Sequence, residues 1–142
     1  MYGDSCSNFL NRVECGLIDG VITTHVIDEV LFKILTAKAS CYLDKTTIWD
    51  IKDKMKDVSF SKKVYSAVRK YADYLDELTS YGVTVLPVDM GTITRSVELG
   101  EKYGLLTTDS IHLAAMMRNK ICNIATNDSD FERADLVAVW NP

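Results

Sequence analysis

The sequence lacks the features that direct a protein to a membrane or into a secretory route. Its 142 residues include only seven glycines and two prolines, and a chain of this length is most simply one domain. No apolar run approaches the roughly 18 residues needed to span a membrane. The opening MYGDSCSNFL has neither the basic nor the apolar segment of a signal peptide. We therefore expect a single domain over residues 1–142 that has no membrane contact.

Cysteine and histidine are too few and too scattered to form a zinc finger. The cysteines contain no CxxC pair, and in an apolar-rich chain we expect buried, reduced thiols, as is usual in the cytoplasm. The prediction is therefore a cytoplasmic protein without disulfides. The cysteines are Cys6, Cys15, Cys41 and Cys122, and the histidines are His25 and His112.

Several motifs of other enzyme classes are also missing. The sequence contains no P-loop, no GxGxxG dinucleotide fingerprint and no Ser/His/Asp order. Its net charge of −4 does not indicate a generally basic nucleic-acid binder. The basic segment over residues 52–70 has two interpretations: a solvated helical surface, which we favour, or a rail that contacts a phosphate backbone. Its members are Lys52, Lys54, Lys56, Lys62, Lys63, Arg69 and Lys70.

What the sequence does contain is an alternation of helix-like and strand-like segments. Apolar residues three and four apart predict helices, and short β-branched or apolar runs predict strands. Strands separated by helices indicate an α/β fold with a parallel sheet, in which sites form at the carboxyl ends of the strands. The predicted helices span residues 4–14, 24–38, 45–56, 61–78, 91–103 and 108–119, and the predicted strands span residues 21–23, 83–86, 121–125 and 136–140.

Some local details of these elements can also be predicted. Thr24 is expected to cap the second helix, and Thr107 and Thr108 are expected to cap the sixth. The fifth helix is expected to place Ile93, Val97 and Gly100 on its inner side. The sixth helix is apolar nearly all round, so we expect it to be buried.

Residues 105–131 hold a concentration of acids. Asp109 falls in the first turn of the sixth helix, where it either complements the helix dipole, worth about 0.3–1 kcal/mol, or lies in a crevice as part of a site. Asp128 and Asp130 directly follow a predicted strand. They form either an Asx-turn or a second part of that site, and Phe131 is expected to anchor them to the core.

Glu29 is the upstream candidate to join these acids. On a helical wheel it lies opposite the apolar stripe of the second helix, which indicates a solvated face. It nevertheless follows Thr24 closely in the sequence, so it can also reach over the edge of the preceding strand. Asp28 is the alternative acid at this position.

The three aspartates have no evident basic partner in the sequence. Clustered carboxylates without such partners repel one another, so they either raise a pKa or hold a cation. Ligand sets made only of oxygen favour Mg²⁺ or Mn²⁺ over zinc. His112 lies inside the apolar sixth helix and is expected to be a core or supporting histidine. We therefore predict a divalent-metal site for phosphodiester chemistry.

Four segments resemble the PIN domain, the nuclease fold of VapC-type toxins and related RNA-processing enzymes. They are ITTHVIDEVL, LLTTDSIHLAAMM, NIATNDSDF and VAVWNP, which occur in the family's order over nearly the whole chain. The resemblance implies a three-layer α/β/α fold with a parallel central sheet. It also implies Mg²⁺- or Mn²⁺-dependent hydrolysis of single-stranded RNA, the role of toxin in a toxin–antitoxin pair, an antitoxin partner and a homodimer.

The resemblance also assigns roles to site residues. Glu29, Asp109 and Asp128 correspond to catalytic metal ligands of the family, Asp130 is a further metal ligand, and the Thr126 hydroxyl supports them. It assigns no RNA-binding residue.

One feature departs from the family pattern. PIN domains begin with a central strand that ends in an Asp, whereas this sequence opens with MYGDSCSNFL, which resembles the family's first helix with Asp4 as its cap. We therefore expect the first, central strand and its acid to be missing, with a gap in the sheet or with the place filled by another segment or a second molecule. The alternative function is a catalytically impaired PIN-like module that binds RNA or a protein partner.

Overall fold

The computed structural model describes residues 3–44 and 46–142, which form a mostly helical α/β fold with parallel strands. This confirms the predicted fold class. The helices are α1 (Gly3–Glu14), α2 (Thr24–Ser40), α3 (Ile48–Lys54), α4 (Val58–Ser80), α5 (Met90–Tyr103) and α6 (Thr107–Arg118); the strands are β1 (Val21–Thr23), β2 (Thr84–Leu86), β3 (Asn123–Ala125) and β4 (Ala138–Trp140); and a 3-10 helix spans Ser129–Arg133. Lys45, where the third helix was predicted to begin, lies outside the described residues.

The strands form two separate parallel pairs. Strand β1 pairs with β2, with Val21 opposite Thr84, and β3 pairs with β4, with Asn123 opposite Ala138. Within residues 3–44 and 46–142 the two pairs are not hydrogen-bonded to each other. The expected gap in the sheet is therefore present. The segment Gly3–Glu14 is helical, so it does not supply a central strand.

The buried apolar residues gather in three clusters, and each cluster lies within one half of the chain. We call the part from α1 to β2 the N-terminal half and the part from α5 to β4 the C-terminal half. None of the three clusters found in the described residues combines the two halves. Their members are Leu99, Leu105, Leu113, Ala114 and Ala134; Ala39, Ile51, Phe60 and Val64; and Val13, Leu78 and Val83.

Helix α6 is the most deeply buried helix of the C-terminal half, as its apolar sequence predicted. Its buried residues include Leu113 and Ala114, which have no exposed surface. Helix α5 packs against α6, and the predicted inner position of Gly100 is confirmed, since a Cβ there would lie 3.4 Å from Ser110, whereas that of Val97 was wrong. Val97 is 68% exposed, whereas Thr92 and Ser96 are buried.

The buried hydroxyls of α5 are tolerated because each has a local hydrogen-bond acceptor. The Thr92 hydroxyl donates to the Asp89 carboxylate at 2.9 Å, and the Ser96 hydroxyl donates to the Ile93 carbonyl at 2.8 Å. A satisfied hydroxyl loses little on burial, so a helical wheel that ranks residues by hydrophobicity alone misplaces Val97.

The capping of α2 differs from the prediction by one residue. Thr23 is the N-cap, and its hydroxyl oxygen accepts from the Val26 backbone N–H at 3.2 Å. The Thr24 hydroxyl oxygen instead accepts from the Val88 backbone N–H at 3.2 Å. Thr24 therefore ties the start of α2 to the chain that follows β2.

The cysteines form no disulfide, and their predicted burial was wrong. Cys15, Cys41 and Cys122 are exposed, and Cys6 is partly buried. Cys41 is the C-cap of α2 and Cys122 directly precedes β3, and element ends of this kind lie at the surface more often than element interiors do.

The basic segment lies on a surface of mixed charge. Lys56 contacts Asp53 at 2.7 Å and Lys54 contacts Asp57 at 3.8 Å, so acids offset part of the positive charge. The Lys63 ammonium lies 3.8 Å from the centroid of the Tyr42 ring. These contacts support the interpretation as a solvated helical surface. Among the described residues no helix combines the length and the hydrophobicity that crossing a membrane requires.

We predict that Gly20→Ala destabilises the fold. A Cβ at Gly20 would lie 2.8 Å from Val13 Cγ1 and 3.1 Å from Val83 Cγ2, at the contact between α1 and the β1–β2 pair. Overpacking of this kind costs about 1–3 kcal/mol, which exceeds the roughly 0.4–1 kcal/mol that Ala gains over Gly from the unfolded chain.

Urea denaturation measures this effect. Gly3→Ala is the matched control, because a Cβ at Gly3 meets nothing within 4 Å. The packing argument is rejected if Gly20→Ala is as stable as the control.

Candidate metal centre

Asp109 lies in the first turn of α6, where its charge faces the positive end of the helix dipole. The N-cap of this helix is Leu106, and no side chain caps it. The expectation that Thr107 and Thr108 cap α6 was therefore wrong, since both lie within its first turn. Without a side-chain cap, the first backbone N–H groups of the helix produce a positive potential near the Asp109 carboxylate.

Asp128 and Asp130 are held by a turn that begins where β3 ends. The Thr126 backbone N–H donates to the Trp140 carbonyl at 3.0 Å, which extends the β3–β4 pairing by one residue. The Thr126 hydroxyl oxygen accepts from the Asp128 N–H at 3.1 Å, and Asp128 Oδ1 accepts from the Asp130 N–H at 2.9 Å. Phe131 is buried. The turn predicted from the sequence is present, with Asp128 as its central acceptor.

The fold brings these three aspartates together. One carboxylate oxygen from each of Asp109, Asp128 and Asp130 lies within 4.8 Å of the others. Burial raises the pKa of Asp109 above its ordinary value of 3.8. The charges of Asp128, Asp130 and Glu29 raise this pKa further, whereas His112 lowers it. Negative charge at this position is therefore incompletely compensated by the protein.

Asp130 has a basic neighbour that was not expected. Arg133 Nη2 lies 2.9 Å from Asp130 Oδ1, because the 3-10 helix places residues three apart on the same side. The expectation that the aspartates lack a basic partner was wrong for this one. Both side chains are nearly half exposed, so the pair contributes little to stability. The i, i+3 spacing was the sequence signal that could have revealed it.

Glu29 lies on α2, in the other half of the molecule and outside the group of three aspartates. Its carboxylate oxygen Oε2 lies 2.9 Å from His112 Nε2, and the two side chains are 32% and 15% exposed. An ionised carboxylate only accepts hydrogen bonds, so His112 is the donor. Glu29 is therefore neither fully solvated nor fully buried, and it raises the pKa of Asp109 through its charge. Asp28, the alternative, is exposed.

His25 is a neighbour of the site that the sequence did not single out. Its ring centroid lies 5.5 Å from that of His112, with the two ring planes tilted by 41°. Its Nε2 atom is buried and has no hydrogen-bond partner within the part of the chain that the structure describes. The i, i+4 spacing of His25 and Glu29 on α2 places both on one helix face, which was the available signal.

The donor set suits a hard divalent cation. Asp109, Asp128 and Asp130 offer carboxylate oxygens within reach of one another, and Glu29 carries a fourth carboxylate close enough to affect Asp109 electrostatically. Oxygen-only sets of this kind match Mg²⁺ and Mn²⁺ better than zinc. A cation would also offset the charge that raises the pKa of Asp109.

Comparison with known proteins identifies the family of the chain. A family model of the PIN domain matches residues 4–137. The chain belongs to the PIN domain family. Among curated proteins, this PIN domain is 29% identical over 114 residues to Ribonuclease VapC6 of Methanocaldococcus jannaschii, an alignment that covers 80% of this chain and 71% of the relative. No solved structure matches it significantly. The resemblance read from the sequence segments is thereby confirmed at the level of the family.

We predict that Asp109→Asn stabilises the metal-free protein at neutral pH. The raised pKa of Asp109 means that the folded state binds its proton more tightly than the unfolded state does. The ionised carboxylate therefore costs stability, and this cost appears as the pH rises from the ordinary value of 3.8 through the raised folded-state pKa. Asn removes the charge and hence the cost.

Chemical denaturation in the presence of a chelator, repeated from neutral pH down toward 3.8, measures the difference between the variant and the parent. The gain should shrink as the pH falls, because the carboxyl group then becomes protonated in the parent protein too. Asp73→Asn, at an exposed acid on α4, is the control. A pH-independent loss of stability in Asp109→Asn contradicts the prediction.

Proposed function

We propose that this PIN domain is a metal-dependent endoribonuclease that hydrolyses phosphodiester bonds of single-stranded RNA with Mg²⁺ or Mn²⁺. The observation that carries the proposal is the group of three aspartates within 4.8 Å of one another at the head of α6 and the end of β3. The similarity to a protein named as a ribonuclease supports the same reaction class.

In this proposal Glu29, Asp109 and Asp128 hold the metal ion, directly or through water, and Asp130 is a further ligand. The bound ion supplies positive charge at the scissile phosphate and activates water for attack at phosphorus. The Thr126 hydroxyl acts indirectly, since its oxygen already accepts from the Asp128 N–H at 3.1 Å and so fixes the turn that presents the acids.

The exposure of the acids supports a flexible polymeric substrate. Asp128 is exposed, while Asp109 and Asp130 are partly buried, so the group opens to solvent on one side. A single strand can bring a phosphate to such an opening without unwinding a duplex. Because the acids would repel a phosphate, RNA binding at this place should depend on a divalent metal ion.

A role as the toxin of a toxin–antitoxin pair is part of the proposal. An open groove of about 430 Å³ is lined by residues that include Phe32, Ile48 and Ile51, and Phe32 and Ile48 are largely exposed. Exposed apolar groups that lie together suit a protein partner such as an antitoxin or a second copy of the chain. A homodimer and a cytoplasmic location belong to the same proposal.

A second candidate function is a PIN-like module that binds RNA or a protein without cleaving RNA. The unjoined pairs β1–β2 and β3–β4 favour it, because a sheet without a continuous centre fixes the two sides of the site less firmly. Such a module would retain single-stranded RNA in a binding assay with Mg²⁺ and leave it intact, whereas the nuclease would shorten it.

We predict that Asp109→Asn lowers the cleavage rate by roughly 10²–10³-fold and leaves the fold intact. The variant loses one charged ligand of the aspartate group, and removing one preorganised electrostatic group from an active site typically lowers the rate by roughly 10²–10³-fold. Cleavage of a fluorescent single-stranded RNA with added Mg²⁺ measures the rate, and circular dichroism verifies the fold. Asp73→Asn should cleave at the parent rate. Unchanged cleavage by Asp109→Asn rejects the assignment.

A further inference from the structure

The hydrogen bond between His112 and Glu29 links the two halves of the molecule. Glu29 belongs to α2 in the N-terminal half, His112 belongs to α6 in the C-terminal half, and their side-chain atoms meet at 2.9 Å. No buried cluster identified in residues 3–44 and 46–142 spans these halves, and within the same residues no strand of one half pairs with a strand of the other. None of these buried clusters therefore holds Glu29 in place relative to the aspartates.

We propose that His112 is a positioning residue for metal binding: its Nε2–H donates to Glu29 and holds that carboxylate toward Asp109, Asp128 and Asp130. The inference rests on the proposed function, because it concerns the ligand set of the same site. His112 itself binds neither the metal nor the RNA.

Glu29 needs such a restraint. Its side chain has several freely rotating bonds, and ordering a chain of this length is entropically unfavourable. The charge of Glu29 acts on Asp109 in the direction of repulsion, so electrostatics alone would turn the Glu29 carboxylate toward solvent. A hydrogen bond to an ionised carboxylate is stronger than one between neutral groups. His112 therefore opposes the repulsion that the aspartates exert on Glu29.

His112 is well placed to exert that restraint. It lies three residues after Asp109 on α6, so the two side chains lie on neighbouring turns of the same helix face. Helix α6 therefore carries both Asp109 and His112, the residue that holds Glu29 of the N-terminal half. The same helix is anchored by Leu113, which is fully buried next to His112.

The His112 ring is restrained in turn by its surroundings. Its side chain is 15% exposed, and the His25 ring, from α2, lies 5.5 Å away between centroids. His25 and Glu29 therefore contact His112 from the same helix face, one by ring packing and the other by a hydrogen bond. A ring held in this way keeps its Nε2–H directed at Glu29.

The expected consequence is a loss of metal affinity when His112 cannot donate. Outer partners that orient a metal ligand typically change metal affinity by about 10–100-fold when they are removed. We therefore expect His112→Leu to weaken Mn²⁺ binding by about 10–100-fold. His112→Gln, whose side-chain amide can still donate to Glu29, should recover most of the affinity.

The experiment measures Mn²⁺ binding by electron paramagnetic resonance, without RNA and without turnover. It compares the parent protein with His112→Leu, His112→Gln, Glu29→Ala and the double variant Glu29→Ala/His112→Leu. If His112 acts through Glu29, His112→Leu should have no further effect in the Glu29→Ala background. His25→Phe keeps a ring beside His112 and leaves the Glu29 contact, so it should bind Mn²⁺ like the parent.

Three results would overturn the inference. Parent-like affinity in His112→Leu would show that the hydrogen bond does not position a ligand. An equal loss in the presence and absence of the Glu29 side chain, or no recovery with Gln, would show a purely structural role. If His112→Leu fails to fold, His112→Asn, whose amide is too short to reach Glu29, takes its place with the same expectation.

The design also separates this inference from the proposed function. If the parent binds Mn²⁺ and Asp109→Asn does not, while His112→Leu is unchanged, only the positioning role fails. If the parent itself binds no Mn²⁺, the metal site and the positioning role fail together.

Discussion

Mutual repulsion among carboxylates is the constraint on which the arrangement of this site depends. Three aspartates approach within 4.8 Å, and burial and neighbouring negative charge raise the pKa of Asp109. Such an arrangement forms only because local structure fixes each acid at little cost in free energy. Asp109 lies at the positive end of a helix dipole, and Asp128 accepts from a backbone N–H in its own turn at 2.9 Å. The repulsion among the acids therefore lowers stability at this place, and a bound cation would offset that loss.

The site lies where the two halves of the chain meet. In the proposed site the N-terminal half would contribute Glu29 and the C-terminal half the aspartates, while each core cluster and strand pair of the described residues lies within one half. The contact from His112 to Glu29 at 2.9 Å is a direct link between them. A cation shared by acids of both halves would join them further, and metal binding, stability and the relative position of the halves would then be coupled.

The sequence predicted what local forces decide and missed what distant contacts decide. The helix and strand order, the Asx-turn at Asp128 and the burial of α6 follow from periodicity and short-range hydrogen bonds. The exposed Val97 was missed because Thr92 and Ser96 find local acceptors and take the buried face. The bond from His112 to Glu29 joins residues 83 positions apart, and only the tertiary structure brings them together. Family resemblance, rather than periodicity, is the basis on which Glu29 is predicted to be a site residue.

The most direct test of the central claim is to locate the metal. Anomalous diffraction from crystals grown with Mn²⁺ places the ion independently of any activity. The account predicts an anomalous peak coordinated by oxygens of Asp109 and Asp128, with Asp130 and Glu29 bound directly or through water. A peak elsewhere on the molecule, or none beside Asp109 in crystals that contain Mn²⁺, would contradict the account.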